Sequence, residues 1–292
     1  MNRWDGREDE QTCKRATESH LLPGAPSYLL GTDTKEFERL QAQHQVWSGE
    51  TSRLWDLAKF GPGTRLLDLG CGPGFAAIEL ADRVGAAGSV LAVDESARFI
   101  ESLVSEVTRL GLSQLTARVE RVEALTLVPG TLDGVFARWL FCFLPDPAAV
   151  VARVVLGLRP GGRFVVQDYL NYRATTLQPR GPAFDRVIRA VEASWRRTGA
   201  ALDIGGRLPR LLAEHDCRVR QLVPLVHYAT PGTPFWEWPK RFFFGYVPRL
   251  VTEGLLTDTD RRAFEDEWAQ REREPGSFLS LPPMVGIVAD KA

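Results

Sequence analysis

Between residues 65 and 169 the chain alternates two hydrophobic rhythms. Short, nearly continuous apolar runs, RLLDL (65–69), SVLAVD (89–94), ARVERV (117–122), LDGVFAR (132–138) and RFVVQDY (163–169), read as strands buried on both faces. Between them lie segments with helical spacing. These are GFAAIELADRVG, then SARFIESLVSEVTRLG with Phe99, Ile100, Leu103, Val107 and Leu110 at apolar positions, and DPAAVVARVVLGLRPGG, closed by Pro160, Gly161 and Gly162. This alternation predicts a parallel sheet covered by helices on both faces, with right-handed crossovers. Such sheets bind ligands at the carboxyl ends of their strands, where the strand order reverses.

The flanks follow other patterns. DTKEFERLQAQHQVW and TSRLWDLAKF predict two short helices before the first strand, with Asp33 and Glu36 placed as a capping box and Gly61-Pro62-Gly63 as the breaker. After Tyr169, AFDRVIRAVEASWRR and RLPRLLAEH read as helices and RVRQLVPLVHYA as a strand. An aromatic segment, PFWEWPKRFFFGYVPRLV, and a charge-dense helix, DTDRRAFEDEWAQRERE, precede a last strand, MVGIVAD. The charged helix reads as a solvated face. No internal repeat is present. The expected division is a flexible terminus over 1–24 and one domain over 25–292, with cap helices in 25–60, a core in 61–170, and substrate-side elements in 171–204 and 230–278.

At 292 residues, 44% hydrophobic and 25% charged, the chain suits one large globular α/β domain with insertions. Its formal net charge of -1 offers no global field for a polyanion, which disfavours nucleic acid as a partner. The four cysteines, Cys13, Cys71, Cys142 and Cys217, stand apart and form no CxxC, so neither a metal site nor a disulfide framework is expected. No run of 18 apolar residues and no secretory signal occur, which makes cytoplasm the default compartment.

The informative stretch is LLDLGCGPGF. Gly70, Gly72 and Gly74 stand between a strand and a helix, where backbone must approach a ligand closely. A dinucleotide fingerprint places its third glycine where Phe75 stands here, and Phe75 would crowd a pyrophosphate. A nucleoside without phosphates fits better, which makes a nicotinamide-dependent oxidoreductase the weaker alternative. Asp94, closing the second strand, can accept from both ribose hydroxyls. Glu95 and Ser96 follow beside the base, and Glu123 and Ala124 can meet an adenine edge.

LLDLGCGPG, the acidic end of VLAVD, VEA, LDGVFARWLFCFLPDP and LRPGGRFVVQDY, in this order and spacing, resemble the successive motifs of class I S-adenosylmethionine-dependent methyltransferases, in particular the quinone and natural-product enzymes. The likeness covers roughly residues 60 to 170. It implies a Rossmann-like, doubly wound, mostly parallel seven-stranded sheet with an antiparallel last strand, and S-adenosylmethionine as cofactor with S-adenosylhomocysteine as product. It also implies that Gly70, Cys71, Gly72 and Gly74 line the methionine and ribose, that Asp68 orients their loop, and that Asp94 holds the ribose. Arg138 and Trp139 would meet the amino-acid moiety, and Tyr28 and Gln45 would close over it.

A methyl transfer is largely a matter of alignment and exclusion of water, so the catalytic residues are the least legible. Asp168 and Tyr169, ending the fifth strand, and His44, one turn from Trp47, are the candidates for a base or orienter, with Tyr172 beside them. The [ND]PP[YF] tetrapeptide of enzymes acting on nucleobase amines is absent; ARWLF stands in its place. A small, partly apolar acceptor is expected. A homodimer is compatible with the sequence, and a cofactor-binding protein without methyl transfer is the other alternative.

Overall fold

Helix α1 (Thr34–Leu57) comes first among the residues described, 30–292, in the computed structural model. Strand–helix alternation follows: β1 (Arg65–Leu69), α2 (Phe75–Val84), β2 (Ser89–Asp94), α3 (Ala97–Leu110), β3 (Leu115–Val119), β4 (Leu132–Arg138), α4 (Pro147–Gly157) and β5 (Leu158–Tyr169). The rest of the chain is β6 (Thr176–Gln178), α5 (Pro182–Arg197), α6 (Leu208–Ala213), β7 (Cys217–Leu225), β8 (Tyr228–Ala229), α7 (Pro234–Thr252), α8 (Asp258–Arg273), β9 (Phe278–Ser280) and β10 (Met284–Lys291). Residues Thr32–Ala292 form one compact unit.

The main sheet has seven strands in the order β3-β2-β1-β4-β5-β10-β7. Strands β1 to β5 are parallel, and β10 runs antiparallel between β5 and β7, so the expected doubly wound sheet with an antiparallel last strand is what forms. Strand order reverses between β1 and β4, and the glycine-rich turn leaves β1 at that point. Leu67, Leu69, Val135, Phe136, Val165 and Val166 are wholly or almost wholly buried, as strands covered on both faces require.

Several boundaries differ from the sequence pattern. The two N-terminal helices are one: Gln43, His44, Trp47, Thr51, Leu54 and Trp55 make an unbroken buried stripe at three- and four-residue intervals, and Gly49 sits on the exposed side, where it does not break the helix. Asp33 does cap it, its Oδ1 accepting the Glu36 N–H at 2.9 Å, while the Glu36 carboxylate holds the Arg39 guanidinium. The third strand lies two residues earlier than ARVERV, and the segment 120–124 is a turn. RVRQLVPLVHYA divides after Leu225: β7 stays in the main sheet and β8 joins β6 and β9 in a second sheet of three strands. That sheet was not apparent from sequence, because its strands are two or three residues long and carry no periodicity.

Helices α5, α7 and α8 pack on one another, and α7 also packs on α1. Their core is aromatic: Phe184, Phe243, Phe264 and Trp268 form mutual ring contacts with centroids 5.1–6.4 Å apart. One junction is polar. The Glu267 carboxylate of α8 accepts the Ala183 and Phe184 N–H groups at the start of α5, each at 3.0 Å, satisfying donors that a helix leaves open. Gly181 makes room, since a Cβ there would lie 2.2 Å from that carboxylate. Glu267→Ala is expected to lower stability by about 1–2 kcal/mol, the cost of a lost cap. A urea midpoint equal to that of the parent protein would show that the junction contributes nothing.

Candidate active site

Backbone leaves β1 through three glycines in the left-handed region, with φ of 69° at Gly70, 54° at Gly72 and 84° at Gly74. Packing adds a second reason at two of them: a Cβ on Gly70 would lie 2.7 Å from Leu140, and one on Gly74 2.3 Å from Leu103. At Gly72 a Cβ would meet nothing within 4 Å. The middle glycine thus leaves bare backbone on an open side, next to the α2 N-terminus, which Gly74 caps without any side chain.

Asp94 fastens this turn. Its Oδ2 accepts the Gly72 N–H at 2.8 Å and its Oδ1 the Ser96 N–H at 2.9 Å, and burial raises its pKa against those two bonds. Cys71 lies in the same loop with its thiol 3.5 Å from the Gly72 carbonyl. Burial, together with Asp68 and Asp94, pushes that thiol well up, so it stays protonated and is no nucleophile.

Beyond Asp94, Glu95 is exposed and pairs with Arg121 at 3.7 Å, and Arg121 also reaches Glu123 at 3.3 Å. Two neighbours are already engaged. Ser96 caps α3, its Oγ accepting the Phe99 N–H at 3.2 Å, and the Ala124 N–H closes a turn on the Arg121 carbonyl at 2.9 Å. The Ala124 N–H is thus taken, whereas the Ser96 hydroxyl still has its O–H to donate.

Pleating places Asp68, Phe136, Arg138 and Gln167 on the face of the sheet that α1 covers, since Asp68 pairs with Phe136 and Arg138 with Gln167. There a chain of donors runs in one direction. Arg138 Nη1 donates to Thr51 Oγ1 at 3.0 Å, and Thr51 donates on to Gln167 Oε1 at 2.9 Å. Arg138 Nη2 donates to His44 Nδ1 at 3.0 Å, so the proton of that ring sits on Nε2, which meets Glu79 Oε1 at 3.0 Å. Burial lowers the Arg138 pKa to about 10, opposed by Asp68 and Glu79. Asp68 is almost wholly buried and its Oδ2 has no hydrogen-bond partner among the described residues; burial pushes its carboxyl up to about 7 against the pull of Arg138.

The structure revises the candidate bases. Asp168 stands one residue from Gln167 and so faces the opposite side of the sheet, fully buried, its oxygens taken by the Tyr169 N–H at 2.8 Å and the Cys142 N–H at 3.2 Å. His44 has both ring nitrogens engaged. Tyr169 does return to the α1 face, 9% exposed, with its ring 5.2 Å from Tyr172. Burial raises the pKa of both phenols, which remain donors. Gln45 is exposed on α1; Gln43, 200° away around the helix, is the buried one, accepting from Arg39 and from Trp238 Nε1, each at 2.9 Å. Tyr28 lies outside the described residues.

Trp139 ends β4 with φ of 48°, rare for a bulky residue. The left-handed turn brings its indole back over the α1 side: the Arg138 guanidinium lies 5.2 Å from its ring, Trp238 stacks on it at 5.9 Å, and its Nε1 donates to Met284 Sδ at 3.0 Å. Trp47, Tyr169 and Trp238 complete an aromatic wall. Trp238 belongs to the aromatic segment 234–251 that the sequence pattern singles out; Thr51, Gln167 and Glu79 were missed. Of these only Thr51 left a trace, one turn beyond Trp47 on the apolar stripe of α1.

Residues 60–199 match the family model described as "Methyltransferase domain". The chain is 35% identical over 180 residues to nocamycin O-methyltransferase of Saccharothrix syringae, a stretch that is 62% of this chain and 59% of that protein. It is 32% identical over 136 residues to aklanonic acid methyltransferase DauC of Streptomyces sp. (strain C5), covering 47% and 61%. Its structure is similar to that of geranyl diphosphate C-methyltransferase from Streptomyces coelicolor A3(2), with a TM-score of 0.57, 19% identity, and 92% and 85% of the two chains covered. The chain thus spans about 60% of the length of the two sequence relatives. No helix among the described residues is long and apolar enough to cross a membrane.

Proposed function

We propose that this chain is a class I S-adenosylmethionine-dependent methyltransferase that methylates a small molecule, a reading supported by the methyltransferase-domain match over 60–199 and by the two sequence relatives. The observation that carries this reading is the bare, open Gly72 backbone tied to Asp94 at the point where strand order reverses. When bound, S-adenosylmethionine supplies a methyl group on a positively charged sulfur. The residues present fit it: the glycine turn admits close approach, Asp94 keeps lone pairs for the ribose hydroxyls, and the unpartnered Asp68 Oδ2 suits an ammonium group.

On this reading Gly70, Cys71, Gly72 and Gly74 line the ribose and methionine, Glu95 and Glu123 flank the adenine, and Arg138 and Trp139 border the amino-acid end. The acceptor lies against Trp139, Tyr169, Tyr172 and Trp238, under the elements of 171–204 and 230–278. The Tyr169 and Tyr172 hydroxyls have no hydrogen-bond partner among the described residues, and as protonated phenols they orient an acceptor oxygen by donating to it rather than stripping its proton. The relatives named for nocamycin and aklanonic acid support a small acceptor, and the first supports oxygen as its methylated atom.

S-adenosylhomocysteine is expected to bind the purified protein and raise its Tm, with NADH doing neither. Incubation with S-adenosylmethionine and a metabolite extract is expected to release S-adenosylhomocysteine. A Tm raised by NADH alone would revive the oxidoreductase alternative, and cofactor binding without release in any extract would favour a non-catalytic protein.

A further inference from the structure

Asp68 presents a problem of charge. Its carboxylate is buried with one oxygen unpartnered, a costly arrangement unless an opposite charge is held nearby. The sheet supplies one: Asp68 pairs in register with Phe136, so Arg138 stands one pleat further along on the same face. Arg138 in turn cannot swing away, because one of its amino groups is on Thr51 and the other on His44, whose far nitrogen is anchored on Glu79 of α2. The guanidinium therefore ties α1 and α2 to the strand beside the glycine loop.

We propose that Arg138 is a positioning residue for cofactor binding: clamped by His44 and Thr51, it holds the Asp68 carboxylate in its ionised form so that the unpartnered Oδ2 receives the ammonium group of the methionine moiety. This rests on the methyl-donor reading above. The groups that act on Asp68 include Arg138 from β4, Asp94 from β2 and Cys71 in its own loop, with His44 of α1 and Glu79 of α2 acting through Arg138. Burial and Asp94 favour the protonated carboxyl, and Arg138 opposes them. The sign is then fixed: a protonated Asp68 cannot pair with an ammonium, so affinity is full above its pKa and falls as pH drops through about 7.

The test is calorimetric titration of S-adenosylhomocysteine from pH 5.5 to 8.5 into the full chain and its Arg138→Gln, Arg138→Lys and Thr51→Val variants. The ligand's own ionisation is common to all four and cancels. Arg138→Gln is expected to bind about fivefold more weakly at pH 7 and to recover by pH 8.5, its profile displaced about one unit upward. Arg138→Lys is expected to restore the parent profile, and Thr51→Val, which removes one anchor, to shift it in the same direction by less. An unshifted profile in Arg138→Gln, whether at parent affinity or uniformly weaker, overturns the proposal. Should that variant fail to fold, the Thr51→Val profile decides by the same criterion. A parent protein that binds no S-adenosylhomocysteine at any pH overturns the methyl-donor reading instead.

Discussion

Asp94→Ala is expected to weaken S-adenosylhomocysteine binding by about 10²- to 10³-fold. Two losses combine. The carboxylate is the proposed acceptor for both ribose hydroxyls, each charge-assisted bond being worth about 1.5–3 kcal/mol. It also accepts the Gly72 and Ser96 N–H groups, so its removal frees the turn that must meet the ligand. Asp94→Asn keeps an acceptor oxygen and is expected to lose about tenfold. Calorimetric titration separates the three proteins. An alanine variant that binds within threefold of the parent would place the ribose elsewhere and remove the main support for the cofactor assignment.

Asp168→Asn is expected to remove a loss of stability that the parent protein suffers as pH rises from 5 to 8. Burial pushes the Asp168 carboxyl up to about 7, against hydrogen bonds from the Tyr169 and Cys142 backbone. An acid whose folded pKa is raised contributes stability that is complete below its unfolded value and is lost as pH rises through the folded value. Between pH 5 and 8 that amounts to about 3 kcal/mol for a group displaced this far. The asparagine amide does not ionise, so it escapes the loss; its nitrogen can accept neither backbone N–H, so one of the two hydrogen bonds is given up equally at both pH values. Urea unfolding at the two pH values measures the difference. A variant whose stability falls between pH 5 and 8 as steeply as the parent's would show that Asp168 is not the titrating group. Asp68, also raised to about 7, remains in both proteins and cancels in the comparison.

Much of the core was legible because its signals are local. The apolar runs 65–69, 89–94 and 132–138 are strands within the bounds that the pattern set, since a strand covered on both faces must be apolar throughout. The glycine turn and the carboxylate at the end of the next strand could be read together, and the structure joins them by one hydrogen bond between Asp94 and Gly72. Helix register was harder. Gln45 lies in a segment in which Gln43 and His44 are the buried residues, and a face can be assigned only when it is known what the helix lies on.

By itself the sequence determined the fold class, the glycine turn and its carboxylate, for these depend on backbone conformations and on residues close in the chain. Tertiary structure alone decided which polar side chains share a site. Strand alternation sent Asp168 to the far face and returned Tyr169 to the near one. The left-handed turn at Trp139 laid its indole on Trp238, 99 positions along the chain. Packing of α1 across the sheet brought Glu79, His44, Arg138, Thr51 and Gln167 into one chain of hydrogen bonds. Contacts of that separation carry no periodicity and leave no motif, because what pairs them is the position of whole elements in the folded chain.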